Sequence, residues 1–222
     1  MLTHMEAVHK PNRVAQWFAS SFAILGAHRR SYIWLNVTYY GLIVAAMLYA
    51  TFNPALQKTI TAAAGTAFTQ GPLAAVGEAY LGGQTLRAIL LTFGINLVVG
   101  SGVTITLPSL IVPFSGLLMG AYRAILWGLI YAPNTPELRM IFLPHLPTLL
   151  IEGQAYVLAM LAAVIQGRAL FAPYTVGAST RWQAYKQSIK LSLWLYGLVA
   201  LVLAVAAVYE VLEAALLLAQ FG

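Results

Sequence analysis

Residues 191–218 read LSLWLYGLVALVLAVAAVYEVLEAALLL, and this stretch decides the class of fold. It is an unbroken apolar run whose only charged side chains are Glu210 and Glu213. A helix of about 20 apolar residues crosses a hydrocarbon core of about 30 Å, and this run is longer than that. We therefore predict a transmembrane helix that tilts or projects beyond the bilayer.

The rest of the chain has the same apolar character. Of its 222 residues, 60% are hydrophobic and 8% are charged, whereas a soluble globular domain carries about 25% charged residues. So much apolar surface requires lipid as the solvent, and a chain in lipid must satisfy its backbone polar groups internally. The predicted fold class is all-α, a polytopic integral membrane helical bundle.

Five apolar runs are long enough to be transmembrane helices. Leu107-Pro108-Ser109 predicts a tight turn between the second and the third, and Pro144 and Pro147 predict the opening of the fourth. Residues 32–222 then form one transmembrane domain. Its predicted spans are residues 32–51, 86–105, 110–131, 141–165 and 191–218.

Two segments flank the predicted spans without crossing the membrane. Residues 1–31 predict a cytoplasmic amphipathic helix, opened by Pro11 and with an apolar stripe that ends at Leu25. That helix either lies in the membrane interface or packs under the bundle. Residues 53–83 predict one or two interfacial helices on the outer side, with a cap at Asn53-Pro54 and a break at Gly71-Pro72.

The distribution of Lys and Arg predicts the orientation, because cytoplasmic loops carry the excess of both. Eight basic residues fall in the segments that are cytoplasmic if the N-terminus is inside, against three in the outer segments. We therefore expect a prokaryotic cytoplasmic membrane protein with its N-terminus inside and its C-terminus outside. The eight are Lys10, Arg13, Arg29, Arg30, Arg168, Arg181, Lys186 and Lys190, and the three are Lys58, Arg87 and Arg139.

Arg123 and Glu152 are charged residues within predicted spans. An ionisable group in a span costs about 2.5–3.5 kcal/mol on insertion scales, so each needs a partner. The two lie at similar depth on helices that are neighbours in sequence, which predicts an ion pair. The pair is either a midplane site for a ligand or proton, or a structural clamp between two helices.

Further polar and small residues extend this predicted intramembrane polar face. His145 shares a helical stripe with Glu152, and Asn96 in the second span needs a hydrogen-bond partner. Glu210 and Glu213 face Arg139, Arg87 or a watery cleft, or are solvated at the outer headgroups. Gly116 and Gly120 form a small-xxx-small motif on the Arg123 face, which predicts close helix packing.

Catalytic, metal and cofactor motifs do not occur in the sequence. The chain has no cysteine, and its four histidines lack the spacing of metal ligands. The basic residues flank apolar runs, which indicates a membrane rather than nucleic acid as the partner. We expect no enzyme activity, no cofactor and no metal.

From the second span onward the chain resembles the stage II sporulation protein M family of prokaryotic membrane proteins. The resemblance covers about residues 86–170. It rests on an Asn-bearing second helix, a proline turn, a glycine-spaced third helix and a Pro-His motif followed by a Glu. Here these are Asn96, Leu107-Pro108, Ser115-Gly116-Leu117-Leu118-Met119-Gly120, Pro144-His145 and Glu152. This chain departs from the family pattern at three places. It has Ser115 where the family has Asn and Leu146 where the family has Gly, and Glu152 lies one helical turn later than the family Glu.

The resemblance implies a non-enzymatic membrane scaffold or accessory subunit that works with other membrane proteins, or as a homo-oligomer. A second hypothesis is a small solute-binding subunit, like the substrate-binding component of an energy-coupling-factor transporter. Ala45, Ala46 and Ala50 on the first helix suit that hypothesis, which places a small-molecule ligand at Arg123 and Glu152. A membrane enzyme acting on lipids or peptides ranks third.

Overall fold

The fold is taken from a computed structural model that describes residues 12–221. Pro11 and the rest of residues 1–11, which belong to the predicted N-terminal segment, lie outside the described residues, as does residue 222. The described part consists of helices and contains no strand, as the composition predicts. Four stretches of it are long and apolar enough to cross a membrane: Arg29–Phe52, Thr85–Ile111, Pro136–Phe171 and Pro173–Ala219.

The first helix packs against the bundle. Asn12 Oδ1 accepts a hydrogen bond from the Val14 amide, so helix α1 begins at Arg13 and runs as Arg13–Ala27. Ser21 is fully buried, and its hydroxyl donates to the Trp194 carbonyl across 2.8 Å. Of the two placements that the sequence leaves open, the structure shows the helix against its neighbours.

Three helices follow before the central part of the bundle. They are α2 (Arg29–Phe52), α3 (Pro54–Thr69) and α4 (Ala74–Leu81). Helix α3 begins at the predicted proline, but the Asn53 side chain donates to the Tyr49 carbonyl instead of capping α3. The break at Gly71-Pro72 separates α3 from α4, so residues 53–83 form two helices.

The predicted turn at Leu107-Pro108-Ser109 is wrong. Helix α5 (Thr85–Gly94) continues through a π-helix (Ile95–Thr106) into α6 (Leu107–Ile111). The Leu107 amide donates to the Gly102 carbonyl, five residues back rather than four. In an α-helix a proline ring clashes with the carbonyl four residues before it, and the wider π-helical turn leaves space for the Pro108 ring. The chain reverses instead at Phe114, which adopts left-handed backbone (φ 68°), before α7 (Ser115–Tyr131).

Helices α8 (Pro136–Phe171) and α9 (Arg181–Phe221) are much longer than predicted. The Thr135 hydroxyl accepts from the Leu138 amide and starts α8, so Pro144 and Pro147 lie inside the helix and do not open it. The Tyr209 hydroxyl donates to the Pro144 carbonyl at 2.9 Å. This bond ties α9 to the segment of α8 that contains the two prolines.

Helix α8 is the centre of the bundle. Its residues from Ala155 to Gly167 are all buried, because α2, α7, α9 and the π-helix surround it. Contacts between Tyr32 and Gln154 and between Tyr40 and Leu150 make α2 antiparallel to α8. Contacts at both ends of α8 likewise make α9 antiparallel to it. The cationic ends of α2, α8 and α9 therefore share one end of the bundle.

Candidate functional site

The structure brings Arg123, Glu152 and Asn96 together inside the bundle. Arg123 Nη2 lies 3.2 Å from Glu152 Oε1, which is the ion pair that the sequence predicts. The same nitrogen donates to Asn96 Oδ1 at 3.2 Å and to the Tyr156 hydroxyl. Tyr156 in turn donates to Glu152, so one phenol bridges the two charges. This Arg123 centre joins the π-helix, α7 and α8.

Aromatic rings surround the guanidinium of Arg123. Its Cζ atom lies 4.0 Å from the centroid of the Tyr156 ring and 5.1 Å from that of Trp127. Both distances are within the range of a cation–π interaction, which gains strength where water is excluded. The charge of Arg123 is therefore stabilised by a carboxylate, an amide and two ring faces together.

Small residues let the helices approach closely enough for these contacts. A Cβ on Gly120 would lie 2.4 Å from the Met160 sulfur, and one on Gly116 would lie 2.2 Å from the Ile105 carbonyl oxygen. Gly120 thus holds α7 against α8, whereas Gly116 holds α7 against the π-helix. The predicted small-residue motif contacts two different helices of the same chain.

His145 and Glu213 form a second buried polar centre. His145 Nδ1 lies 3.2 Å from each carboxylate oxygen of Glu213, and the Thr148 hydroxyl donates to Glu213 Oε2 at 3.1 Å. The Tyr131 ring stacks on the imidazole with centroids 4.3 Å apart. This His145 centre joins α7, α8 and α9.

The predicted surroundings of Glu213 are therefore wrong. The residue is 7% exposed and faces the histidine rather than the headgroups, Arg139 or Arg87. Arg139 instead donates to the Pro133 carbonyl, and Arg87 donates to Gln84. The length of α9 explains the difference, because the helix continues for eight residues beyond Glu213 and Glu213 is therefore not at its end.

Glu210 is half-buried and lies near Tyr80 of α4. Burial raises the pKa of the Tyr80 hydroxyl well above its usual range, and the Glu210 carboxylate raises it further. The Tyr80 hydroxyl also lies 3.2 Å from the Thr92 hydroxyl. Glu210 is within electrostatic range of Glu152 and Glu213, so three carboxylates share the interior with one arginine and one histidine.

The π-helix positions one side of the Arg123 centre. It carries Asn96, and its Gly100 lies against the centre, since a Cβ there would be 3.1 Å from the Tyr156 hydroxyl oxygen and 3.3 Å from Arg123 Nη1. Short π-helical segments are common at functional sites. This one spans 12 residues, Ile95–Thr106, and packs against α7.

Several residues of these centres were missed from the sequence. Tyr156 follows Glu152 by four positions and Thr148 follows His145 by three, so each shares a helix face with its charged partner, a spacing that could have identified it. Tyr131 and Trp127 carried no such signal. A third polar group also escaped prediction: Gln154 bonds Tyr32, Asn36 and Tyr40 at the contact of α2 with α8.

Metal binding has no support in the described residues. Within residues 12–221, no three His, Cys, Asp or Glu side chains are grouped so that they could hold a metal ion. The contacts at the two centres are hydrogen bonds and charge pairs among carboxylates, an imidazole, a guanidinium and hydroxyl groups.

No family model, curated protein or solved structure matches this chain. The resemblance to stage II sporulation protein M therefore rests on the residues that carry it. Of these, Asn96 and Glu152 lie in the Arg123 centre, and His145 lies in the second centre. Gly116 and Gly120 lie on α7, the helix that carries Arg123.

Proposed function

We propose that this chain is a non-enzymatic integral membrane protein, a scaffold or accessory subunit of a larger membrane complex. The observation that carries the proposal is the mutual pairing within the Arg123 centre. The side chains of this centre hydrogen-bond one another and so link the π-helix, α7 and α8. They are Arg123, Glu152, Asn96 and Tyr156. Groups paired in this way hold a frame together, and they leave fewer free to receive a substrate.

The membrane topology of the proposal has five spans. Helix α7 is 17 residues long, with Arg123 near its middle, and it packs parallel to α2 through Gly128. A short span is tolerated where neighbouring helices enclose it. We place the end of the bundle that carries Arg29, Arg30 and Arg168 in the cytoplasm of a prokaryotic cell, following the excess of basic residues.

A resemblance to stage II sporulation protein M supports the same class of function. Members of that family work with partner proteins, and in spore formers such a protein scaffolds cell-wall hydrolases. Helices α3 and α4 are the part of this chain suited to hold a partner, because they form a packed pair outside the four candidate spans. A second copy of the chain is an alternative occupant of that surface.

A solute-binding transporter subunit is the second candidate. The Arg123 side chain is 27% exposed although its Nε atom is buried without a hydrogen-bond partner in the described structure. An incompletely paired guanidinium beside a π-helix suits an anionic or carbonyl-bearing ligand. This candidate places the ligand between α7 and the π-helix.

Site-specific photo-crosslinking in native membranes tests the two candidates. A crosslinking amino acid at Leu81 of α4 is compared with one at Leu118 of α7, since both side chains are 75% exposed. A scaffold predicts a stoichiometric protein adduct at Leu81 and lipid adducts at Leu118. Equal adduct patterns at the two positions contradict the scaffold. A small molecule that co-purifies with the unmodified chain, and that is lost in Arg123→Leu, favours the transporter subunit.

A further inference from the structure

A cavity of about 440 Å³ opens at the cationic end of the bundle, away from both polar centres. It lies between the start of α2 and the end of α8, and its volume is within the range of about 300–1,000 Å³ typical of small-ligand sites. Its walls combine cationic, hydroxyl, aromatic and aliphatic groups. They are Arg30, Ser31, Trp34, Leu35, Thr38, Val164 and Arg168.

Among residues 12–221, no carboxylate compensates the positive charge at the mouth of this cavity. Arg30 and Arg168 are exposed, and within residues 12–221 neither guanidinium donates a hydrogen bond or pairs with a carboxylate. Glu137 lies in the first turn of the 36-residue helix whose last turn holds Arg168, so these two charges are at opposite ends of the bundle. Two unpaired guanidinium groups at one opening select an anion.

The pKa of His28 reflects the same positive charge. Burial lowers the pKa of its imidazole, and the nearby Arg168 charge lowers it further. The histidine connects α1 to α2, directly before the arginines that begin α2. The positive charges at this end therefore repel one another.

The cavity changes from charged to apolar along one face of α2. Arg30, Trp34 and Thr38 follow one another at intervals of four residues, so they form a line along the exposed side of α2 from its end toward its middle. Val164 forms the facing wall on α8, one turn inside Arg168. A ligand that matches this shape has an anionic head and an apolar tail.

We propose that this cavity binds an anionic phospholipid, with its phosphate between Arg30 and Arg168 and one acyl chain along Trp34 and Val164. Arginine pairs bind phosphate oxygens in fixed geometry, and basic pockets between membrane helices bind anionic headgroups. The Ser31 hydroxyl adds a neutral donor beside the phosphate. Bound lipid joins α2 to α8 at their cationic ends and relieves the repulsion among the cations there.

Native mass spectrometry of the full chain in neutral detergent tests the proposal. The chain is titrated with dioleoylphosphatidylglycerol, with dioleoylphosphatidylcholine, or with inorganic phosphate, and thermal unfolding is followed in parallel. We expect phosphatidylglycerol to bind in preference to phosphatidylcholine and to raise the unfolding temperature, whereas phosphate alone does not. Equal binding of both lipids by the unmodified chain, or equal protection by phosphate, overturns the lipid assignment.

The double variant Arg30→Gln/Arg168→Gln locates the site. Its matched control is Arg87→Gln/Arg139→Gln, which removes the same charge from exposed positions at the other end of the bundle. We expect roughly 25-fold weaker phosphatidylglycerol binding by the first variant, since each basic side chain near an anionic lipid surface contributes about fivefold. Equal weakening in both variants overturns the proposed site, because the effect would then follow net charge alone.

Discussion

Replacement of Arg123 and Glu152, singly and together, is the sharpest test of how the bundle is held together. Arg123→Leu leaves the Glu152 carboxylate, which is 5% exposed, with no cation and only the Tyr156 hydroxyl. Removing one partner of a buried ion pair leaves the other charge uncompensated and lowers the free energy of unfolding by about 3–5 kcal/mol. We expect Arg123→Leu to lower the free energy of unfolding by an amount in that range.

Glu152→Leu should cost less, because Arg123 keeps other support. The guanidinium retains Asn96 Oδ1 at 3.2 Å, the Tyr156 hydroxyl and the faces of two aromatic rings, and it is 27% exposed. Loss of one charged hydrogen bond costs about 1.5–3 kcal/mol. The order of the two single variants therefore follows from the geometry, with Arg123→Leu the more damaging.

The double variant leaves neither charge buried. Its remaining cost is two unpaired groups, the Asn96 amide and the Tyr156 hydroxyl, at about 1–3 kcal/mol each. It should therefore be more stable than the sum of the two singles requires by about 2 kcal/mol. Unfolding in mixed micelles by SDS titration measures all three variants. Tyr122→Leu, exposed beside Arg123 on α7, is the control and should change the free energy by less than about 0.5 kcal/mol. Additive losses in the double variant would show that the pair contributes no coupling and would refute this reasoning.

Three other predictions follow from helix contacts and topology. Gly120→Leu should destabilise the chain by about 1–3 kcal/mol or more through overpacking, since the new Cβ would lie 2.4 Å from a methionine sulfur. Gly41→Leu is the control in the same SDS titration and should be tolerated, because a Cβ at that position would have no atom within 4 Å. Glu213→Leu should cost about 1–3 kcal/mol, because it leaves the buried imidazole and threonine hydroxyl without their acceptor; unchanged stability would contradict a structural role for that contact. In the cysteine-free chain, an impermeant thiol reagent added outside cells should label Lys58→Cys and not Lys186→Cys, and the reverse result would invert the proposed topology.

The helical membrane fold could be predicted because it depends on composition and length. Residues 191–218 have no alternative to a helix in lipid, and the all-helical structure follows from that constraint. The contact between Arg123 and Glu152 was predictable for a related reason. Isolated charges in apolar helices are costly, and few partners exist in a chain with so few charged residues.

Helix ends were predicted less well, because prolines and polar residues were treated as local breaks. Pro108, Pro144 and Pro147 all lie inside continuous helices. A wide π-helical turn accommodates the first, and the Tyr209 hydroxyl, 65 residues away, bonds a carbonyl beside the others. Whether a proline ends a helix therefore depends on groups that the local sequence does not contain.

The pairing of His145 with Glu213 and the meeting of Arg30 with Arg168 were decided by tertiary structure. The two residues of each pair are far apart in sequence, by 68 positions for His145 and Glu213 and by more for Arg30 and Arg168. Hydrophobic periodicity limits which face of a helix is buried, but packing over the whole bundle sets its rotation, shift and crossing angle. A rotation of one residue, 100° on an α-helix, would point Glu213 away from His145. The sequence by itself thus determined a bundle of membrane helices with paired internal charges, whereas the identity of most partners depended on how those helices pack.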